Sequence, residues 1–352
     1  MRPGRGLPTR RTRAALAASA VAAAAAAVLA ATEPAPAPVS PPAPRAVDDL
    51  PDAPGTVKAP SPGPRAPAFA LTVTPDARSL LWAERGTGVV RRAVLGAGAP
   101  GAGVVLARLD ARPGAEAGVR GVAVARDGRT YAAYVRRTDG RLAVVELGTS
   151  ARVVWLGPPA GRTRVGGGLV ALAGGRLAVA IGDGARPARA AQPRSLLGRV
   201  VTVSPDGPAD QEPRRRSRGW HDPTAFAAGR GGVLWVADRA GGPDAERTGH
   251  ADRPRAGVVL SPFRRAPVGL ATADDGATLF ACGLRSGRID RTRVRAAGRG
   301  NAQTVPQVLA ARCRYGIAVA GERVLVSGDD GRVADAGRTS TLRRAAVLDD
   351  GP

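Results

Sequence analysis

Few side chains in this sequence can do chemistry near neutral pH. There are two histidines, His221 and His250, two cysteines, Cys282 and Cys313, and a single lysine, Lys58. Two histidines and two cysteines so far apart do not make a zinc site with any recognised ligand spacing. A hydrolase triad of Ser195, His221 and an aspartate lacks the Gly-x-Ser-x-Gly elbow that would present the nucleophile. The run RTRVGGGLVALAGGRLAVAIGDG, from Arg162 to Gly184, raises the question of a phosphate loop. Such a loop needs Gly-Lys-Ser/Thr opening a helix, and the lone lysine lies far upstream. The glycines therefore read as tight-turn and close-packing positions. His250 falls in the polar stretch RTGHADRPRAG and reads as an exposed loop residue.

The elements that hold these residues emerge from a repeat. Compare FALTVTPDARSLLWAERG from Phe69, GVAVARDGRTYAAYVRRTDG from Gly121 and GLVALAGGRLAVAIGDG from Gly168. AFAAGRGGVLWVADRAG from Ala225, GLATADDGATLFACGLRSG from Gly269 and GIAVAGERVLVSGDDG from Gly316 follow the same plan. Each is a strand-length apolar run, an Asp- or Gly-rich turn, a second apolar run and a polar exit, which is the pattern of a β-hairpin. Leu71, Val122, Leu169, Phe226, Leu270 and Ile317 anchor the six copies at intervals of 44 to 57 residues. A lone hairpin is marginal in water, so the units must pack on one another. Six units of about 50 residues, each with room for about four strands, predict an all-β six-bladed β-propeller over 67–340. A parallel-sheet fold needs amphipathic helices between strands, and the connecting segments are too rich in Gly, Pro and Arg to supply them.

Upstream lie two segments of other kinds. Arg2, Arg5, Arg10, Arg11 and Arg13 precede the apolar stretch AALAASAVAAAAAAVLAA, so residues 1–31 read as an export signal or, uncleaved, as an N-terminal membrane anchor. The adjacent arginines leave both general and twin-arginine export open. Residues 32–66 are rich in Pro and Ala and read as an unpacked, extended stalk; residues 341–352 form a C-terminal tail. An exported chain meets an oxidising compartment, so Cys282 and Cys313 are expected to form one disulfide, the alternative being two separate buried thiols. The formal charge of +23 is carried almost wholly by arginine. Together with the abundance of Ala, Gly and Pro, this skew is that of a GC-rich gene. The basic residues are scattered except for Arg214-Arg215-Arg216, with no basic helix, zinc-finger spacing or RNA-binding aromatic motif. No specific nucleic-acid partner is expected.

The segments between and within the hairpins resemble a known family. AERGTGVVRRAVL, AEAGVRGVAVARDGRTYAAYV, GGGLVALAGGRLAVAIGD, SLLGRVVTVSPDG, GWHDPTAFAAGRGGVLWVADRAGGPD and APVGLATADDGATLF occur in this order over roughly 80–330. They are similar to the glucose/sorbosone dehydrogenases, soluble propeller enzymes that use pyrroloquinoline quinone (PQQ) and calcium to oxidise sugars. The resemblance implies a histidine base two residues before the Gly pair of the third hairpin. Counting back from Gly182-Asp183 puts that position on Arg164, which cannot accept a proton near neutrality. It also implies Gly-Leu-Arg-Asn-Pro before the fourth hairpin, where this chain has Gly219-Trp220-His221-Asp222-Pro223. In the family the two positions face each other across the cleft.

Arg164, His221 and Asp222 are thus the implied catalytic positions, with Glu116, Arg164 and His221 towards the cofactor. Asp238 and Asp244 are the implied calcium ligands, weakened by Ala245 where a glutamate is usual. Two readings follow. Either the roles are exchanged, with His221 as base and Arg164 as the cation beside the quinone, or the pocket has drifted after losing catalysis, which is the simpler account of two changes. In the first, the Arg164 cation is expected to lower the His221 pKa. The functions implied are a cell-surface or secreted PQQ-dependent sugar dehydrogenase acting on a sugar or small polyol, and a non-catalytic propeller binding a carbohydrate, cell-wall ligand or partner protein.

Overall fold

The computed structural model describes residues 66–239, 246–252, 259–260, 266–294 and 307–342, all within the unit Ser61–Pro352. The export segment, nearly all of the stalk, most of the C-terminal tail, and Asp244 with Ala245 lie outside the described residues.

The described residues fold into six antiparallel sheets built in sequence order. The first holds β1 (Ala68–Val73), β2 (Ser79–Glu84), β3 (Val89–Val94) and β4 (Val104–Arg108); the second holds β5 (Val119–Val124), β6 (Thr130–Val135), β7 (Arg141–Leu147) and β8 (Arg152–Pro159). The third is β9 (Gly166–Ala171), β10 (Leu177–Ile181), β11 (Arg199–Val203) and β12 (Arg214–Arg218), with the short helix α1 (Pro187–Ala191) between β10 and β11. The fourth is β13 (Pro223–Ala228), β14 (Leu234–Asp238), β15 (Arg247–His250) and β16 (Val259–Leu260). The fifth is β17 (Pro267–Thr272), β18 (Thr278–Gly283), β19 (Arg288–Arg293) and β20 (Gln307–Arg312). In the sixth, the described strands are β21 (Gly316–Ala320), β22 (Arg323–Ser327) and β23 (Val333–Arg338).

The first strands pack side by side in a ring: β1 on β5, β5 on β9, β9 on β13, β13 on β17, β17 on β21, and β21 back on β1. This is the expected six-bladed propeller. Each repeat of the sequence is the inner hairpin of one blade, and all six anchor residues lie on first strands. Inner strands are covered by the neighbouring blades on both faces, so they read as unbroken apolar runs such as LAVAI in β10. The outermost strand β12 is RRRSR, and charge on an edge discourages pairing with another chain.

Ring closure rests on Leu80, Trp82 and Ala93 of the first blade packing against Ala318, Leu325 and Val333 of the sixth. The Ser327 hydroxyl donates across the same junction to the Ala68 carbonyl at 2.6 Å. His250 corrects an expectation: it is buried on β15, its ring edge-on to Trp235 at 6.0 Å and its Nδ1 accepting the Asp252 N–H. The polar stretch around it forms a third strand because β14 offers a ladder for residues 247–250.

Cys282 on β18 and Cys313, just before β21, form the expected disulfide, with Cα atoms 5.3 Å apart and both residues fully buried. The bond sits among Phe280, Ile289, Ile317 and Val326, in the core shared by the fifth and sixth blades. It closes a loop of 31 residues, which by chain entropy contributes about 3–4 kcal/mol. Cys282→Ser with Cys313→Ser is expected to lower stability by about that amount in urea titrations. A loss below roughly 1 kcal/mol would show that the cross-link does not restrict the unfolded chain as the entropy model requires.

One irregularity recurs where it can serve a site. In five of the six inner hairpins the pairing slips near the start of the first strand or its partner: Phe69/Thr72, Val119/Gly121, Val179/Ile181, Pro223/Ala225 and Pro267/Gly269. These bulges all lie at the end of the ring where first strands begin and second strands finish. A bulge re-aims side chains, and Arg120 is the extra residue in the second blade.

Candidate active site

At that end of the ring, the start of β9, the end of β10, the start of β13 and the end of β14 converge. The glycines of the opening run make this possible. A Cβ on Gly167, whose φ is +95°, would stand 2.2 Å from the Cβ of Arg120, and one on Gly182 would stand 1.7 Å from the Arg164 carbonyl oxygen. The glycines are therefore close-packing positions, as the sequence suggested. Pressed onto Gly182, Arg164 takes a left-handed conformation (φ 52°), uncommon for a side-chain-bearing residue.

This packing brings Arg164 and His221 to one acid that sequence reasoning did not single out, Asp183. Its side chain is 1% exposed. Oδ2 lies 2.9 Å from His221 Nδ1 and 3.4 Å from Arg164 Nη1, and Oδ1 accepts the Ala185 N–H at 2.8 Å. Burial alone would raise the Asp183 pKa, but the hydrogen bonds from His221 and Ala185 and the Arg164 charge hold it below the ordinary carboxylate value. The hydrogen bond to Asp183 raises the His221 pKa above its ordinary value, against the opposing effect of burial. This reverses the expectation that Arg164 would lower it, because a buried carboxylate stands between the two side chains. His221 keeps 19% of its side chain exposed and Arg164 keeps 32%.

A second layer fixes the His221 backbone. Both oxygens of Asp238 accept the His221 N–H at 3.2 Å, Oδ1 accepts the Asp222 N–H at 2.7 Å, and Arg247 lies 3.5 Å from Oδ2. Burial pushes the Asp238 carboxyl up to about 6, against the pull of these donors. Asp222 is buried too: it accepts the Gly166 N–H at 2.9 Å and the Arg239 guanidinium. It joins blades rather than facing solvent, so its place is that of a positioning residue. Arg239 also pairs with Glu116, whose pKa burial would raise but Arg239, then Arg120 and Arg85, hold low. Arg239 and Arg120 carried no signal in the sequence, since each is one arginine among many.

Arg120 is fully buried, donating to the Gly166 carbonyl and the Ala115 carbonyl at 3.1 Å each, with its guanidinium 5.1 Å from the Phe69 ring centroid. Its Nη2 is buried with no hydrogen-bond acceptor among the described residues. Burial first, and then repulsion from Arg239 and Arg85, depresses its pKa. A cationic cluster with an unanswered donor fits an anionic, carboxylate-bearing ligand such as PQQ. Of the implied calcium ligands, Asp238 is turned inward to N–H groups and an arginine and Asp244 lies outside the described residues; among the described residues no three acidic, His or Cys side chains gather to hold a metal ion.

Comparison with solved structures places the fold beside sugar dehydrogenases. The PQQ-bound form of aldose sugar dehydrogenase from Streptomyces coelicolor superposes with a TM-score of 0.62 at 19% identity, over 78% of this chain and 94% of that one. A putative oxidoreductase (glucose dehydrogenase) from Thermus thermophilus gives 0.59 at 22% identity, over 78% and 97%. The soluble aldose sugar dehydrogenase of Escherichia coli in its apo form gives 0.55 at 19%, over 77% and 96%. No family model matches the sequence. No curated protein matches it either. The structural likenesses show a shared six-bladed architecture.

Proposed function

We propose that this chain is an exported PQQ-dependent oxidoreductase of sugars or small polyols in which His221, held by Asp183, is the proton acceptor. The observation that carries the reading is the 2.9 Å contact between His221 Nδ1 and buried Asp183, in a half-open position at the end of the ring. A carboxylate on Nδ1 fixes the tautomer with its proton there and leaves Nε2 as the accepting nitrogen. A sugar hydroxyl placed at Nε2 gives its proton to His221, and the Asp183 charge stabilises the imidazolium that forms. PQQ, when bound, supplies the two-electron acceptor for the hydride that leaves the same carbon. Arg164 and Arg120 contribute positive charge for its carboxylates. The likeness to sugar dehydrogenases supports this choice of reaction over others.

A second reading has its own support. Arg239 neutralises Glu116 and Asp222 at once, so both carboxylates have a counter-charge without a ligand. That is the pattern of a pocket that binds a carbohydrate or partner and no longer turns over.

The deciding experiment is to add PQQ to the purified protein, with and without calcium, and to follow quinone absorbance and aldose-dependent dye reduction. Quinone binding with dye reduction is the expected result. Absence of both, with turnover appearing in the double variant Arg164→His/His221→Arg, would overturn the oxidoreductase reading in favour of the non-catalytic one.

A further inference from the structure

Most arginines of the fold that meet a described carboxylate do so at close range, as in Arg129 with Asp127 and Asp206 or Arg323 with Asp335. The outer edge of the third blade departs from this. A slip in pairing between Val200 and Val201 makes Arg216 the extra residue of β12, so Arg215 and Arg218 fall on the same face as Arg199. Arg216 turns to a two-point ion pair with Asp252. Arg199 is buried, and its guanidinium donates to the carbonyls of Ser195, Gln192 and Pro193. Arg215 donates to the carbonyls of Pro193 and Arg194. Among the described residues, the carboxylate that pairs with this face is Glu212, 3.7 Å from Arg215 and 85% exposed. Arg218 and Arg194 are exposed and have no ion pair among the described residues. Burial, followed by the like charges of Arg215 and Arg218, lowers the Arg199 pKa.

Like charges on one sheet face repel, and neutral carbonyls offset that repulsion only in part. We propose that the surface presented by Arg194, Arg215 and Arg218, with buried Arg199 beneath them, is a docking site for a polymer of closely spaced phosphate groups. Charge complementarity selects the partner: guanidinium forks bind phosphate two-pronged. Arg215 and Arg218 are three positions apart on a bulged strand, so they present charges at roughly 7–10 Å, a span wider than one phosphate ion and covered by a short run of linked phosphates. The aromatic nearest in sequence, Trp220, is buried and bonded to Ser217, so nucleobases find no stacking platform here. The proposal does not use the Asp183–His221 pair and holds whichever reading of that site is correct.

The test measures binding of the purified chain to inorganic polyphosphate by titration over a range of salt. Arg215→Gln/Arg218→Gln changes two exposed side chains, so the fold is retained. It is expected to weaken binding at least tenfold and to reduce the log–log salt slope by about 2. The control Arg126→Gln/Arg332→Gln, which removes the same charge from exposed positions elsewhere, is expected to leave binding within about twofold. Equal loss in both variants would assign binding to overall charge and overturn the site. Preference for phosphatidylglycerol vesicles over polyphosphate at equal phosphate would assign the face to a membrane and overturn the partner. Binding of orthophosphate as tight as of polyphosphate would overturn the polymer.

Discussion

His221→Ala is expected to lower aldose oxidation by the PQQ-loaded protein roughly 10²–10⁴-fold, the usual effect of removing a general base. The loss should fall on kcat, because the side chain acts on the proton and not on the sugar's affinity. Asp183→Asn tests the partner. In the wild type Asp183 holds the His221 pKa above its ordinary value. The base must be neutral to accept a proton, so kcat/KM should rise with pH through a midpoint above about 6.5. Asparagine keeps the size of the side chain but cannot stabilise the imidazolium. The midpoint should therefore move down even as the rate at its plateau falls. A drop in rate with an unmoved midpoint would show that Asp183 only shapes the loop. Wild-type oxidation that survives His221→Ala would show that some other group takes the proton.

Arg239→Met is expected to cost about 3–5 kcal/mol of folding stability, the penalty for leaving a buried carboxylate without its cation. Asp222 has 1% of its side chain exposed and Arg239 is its ion-pair partner. Methionine keeps much of the arginine's apolar bulk, so packing loss is a minor part of the effect. Lysine should recover little, since one ammonium cannot reproduce the fork that reaches both Asp222 and Glu116. Adding Asp222→Asn to Arg239→Met should restore a substantial part by removing the orphaned charge, though with a weaker bond to the Gly166 N–H. Urea titration of the four proteins measures each step. A loss below about 1 kcal/mol for Arg239→Met would show that water reaches Asp222 and that the pair is a surface one.

The architecture could be read from the chain alone because a propeller is a local repeat. Each inner hairpin forms between neighbouring segments, so its two apolar runs and turn recur at a readable interval, and the six anchors from Leu71 to Ile317 do sit on the six first strands. The disulfide was legible for a similar reason: Cys282 and Cys313 flank one blade junction. The close-packing role of Gly166, Gly167 and Gly182 could also be seen, since no phosphate loop accompanied them. His250 was not legible, because its strand is defined by hydrogen bonds to β14 and not by an apolar pattern of its own. The site depended most on tertiary structure. Asp183 lies 38 residues from His221 and Arg239 lies 123 residues from Glu116, and nothing local marks either partner. What the sequence determined by itself was the set of short-range ladders and the presence of Arg164 and His221 beside the third and fourth hairpins. Only the closed ring decided that those two residues share one buried carboxylate. A carboxylate's effect on a neighbour's pKa depends on distance and burial, and both are fixed when separate blades pack together.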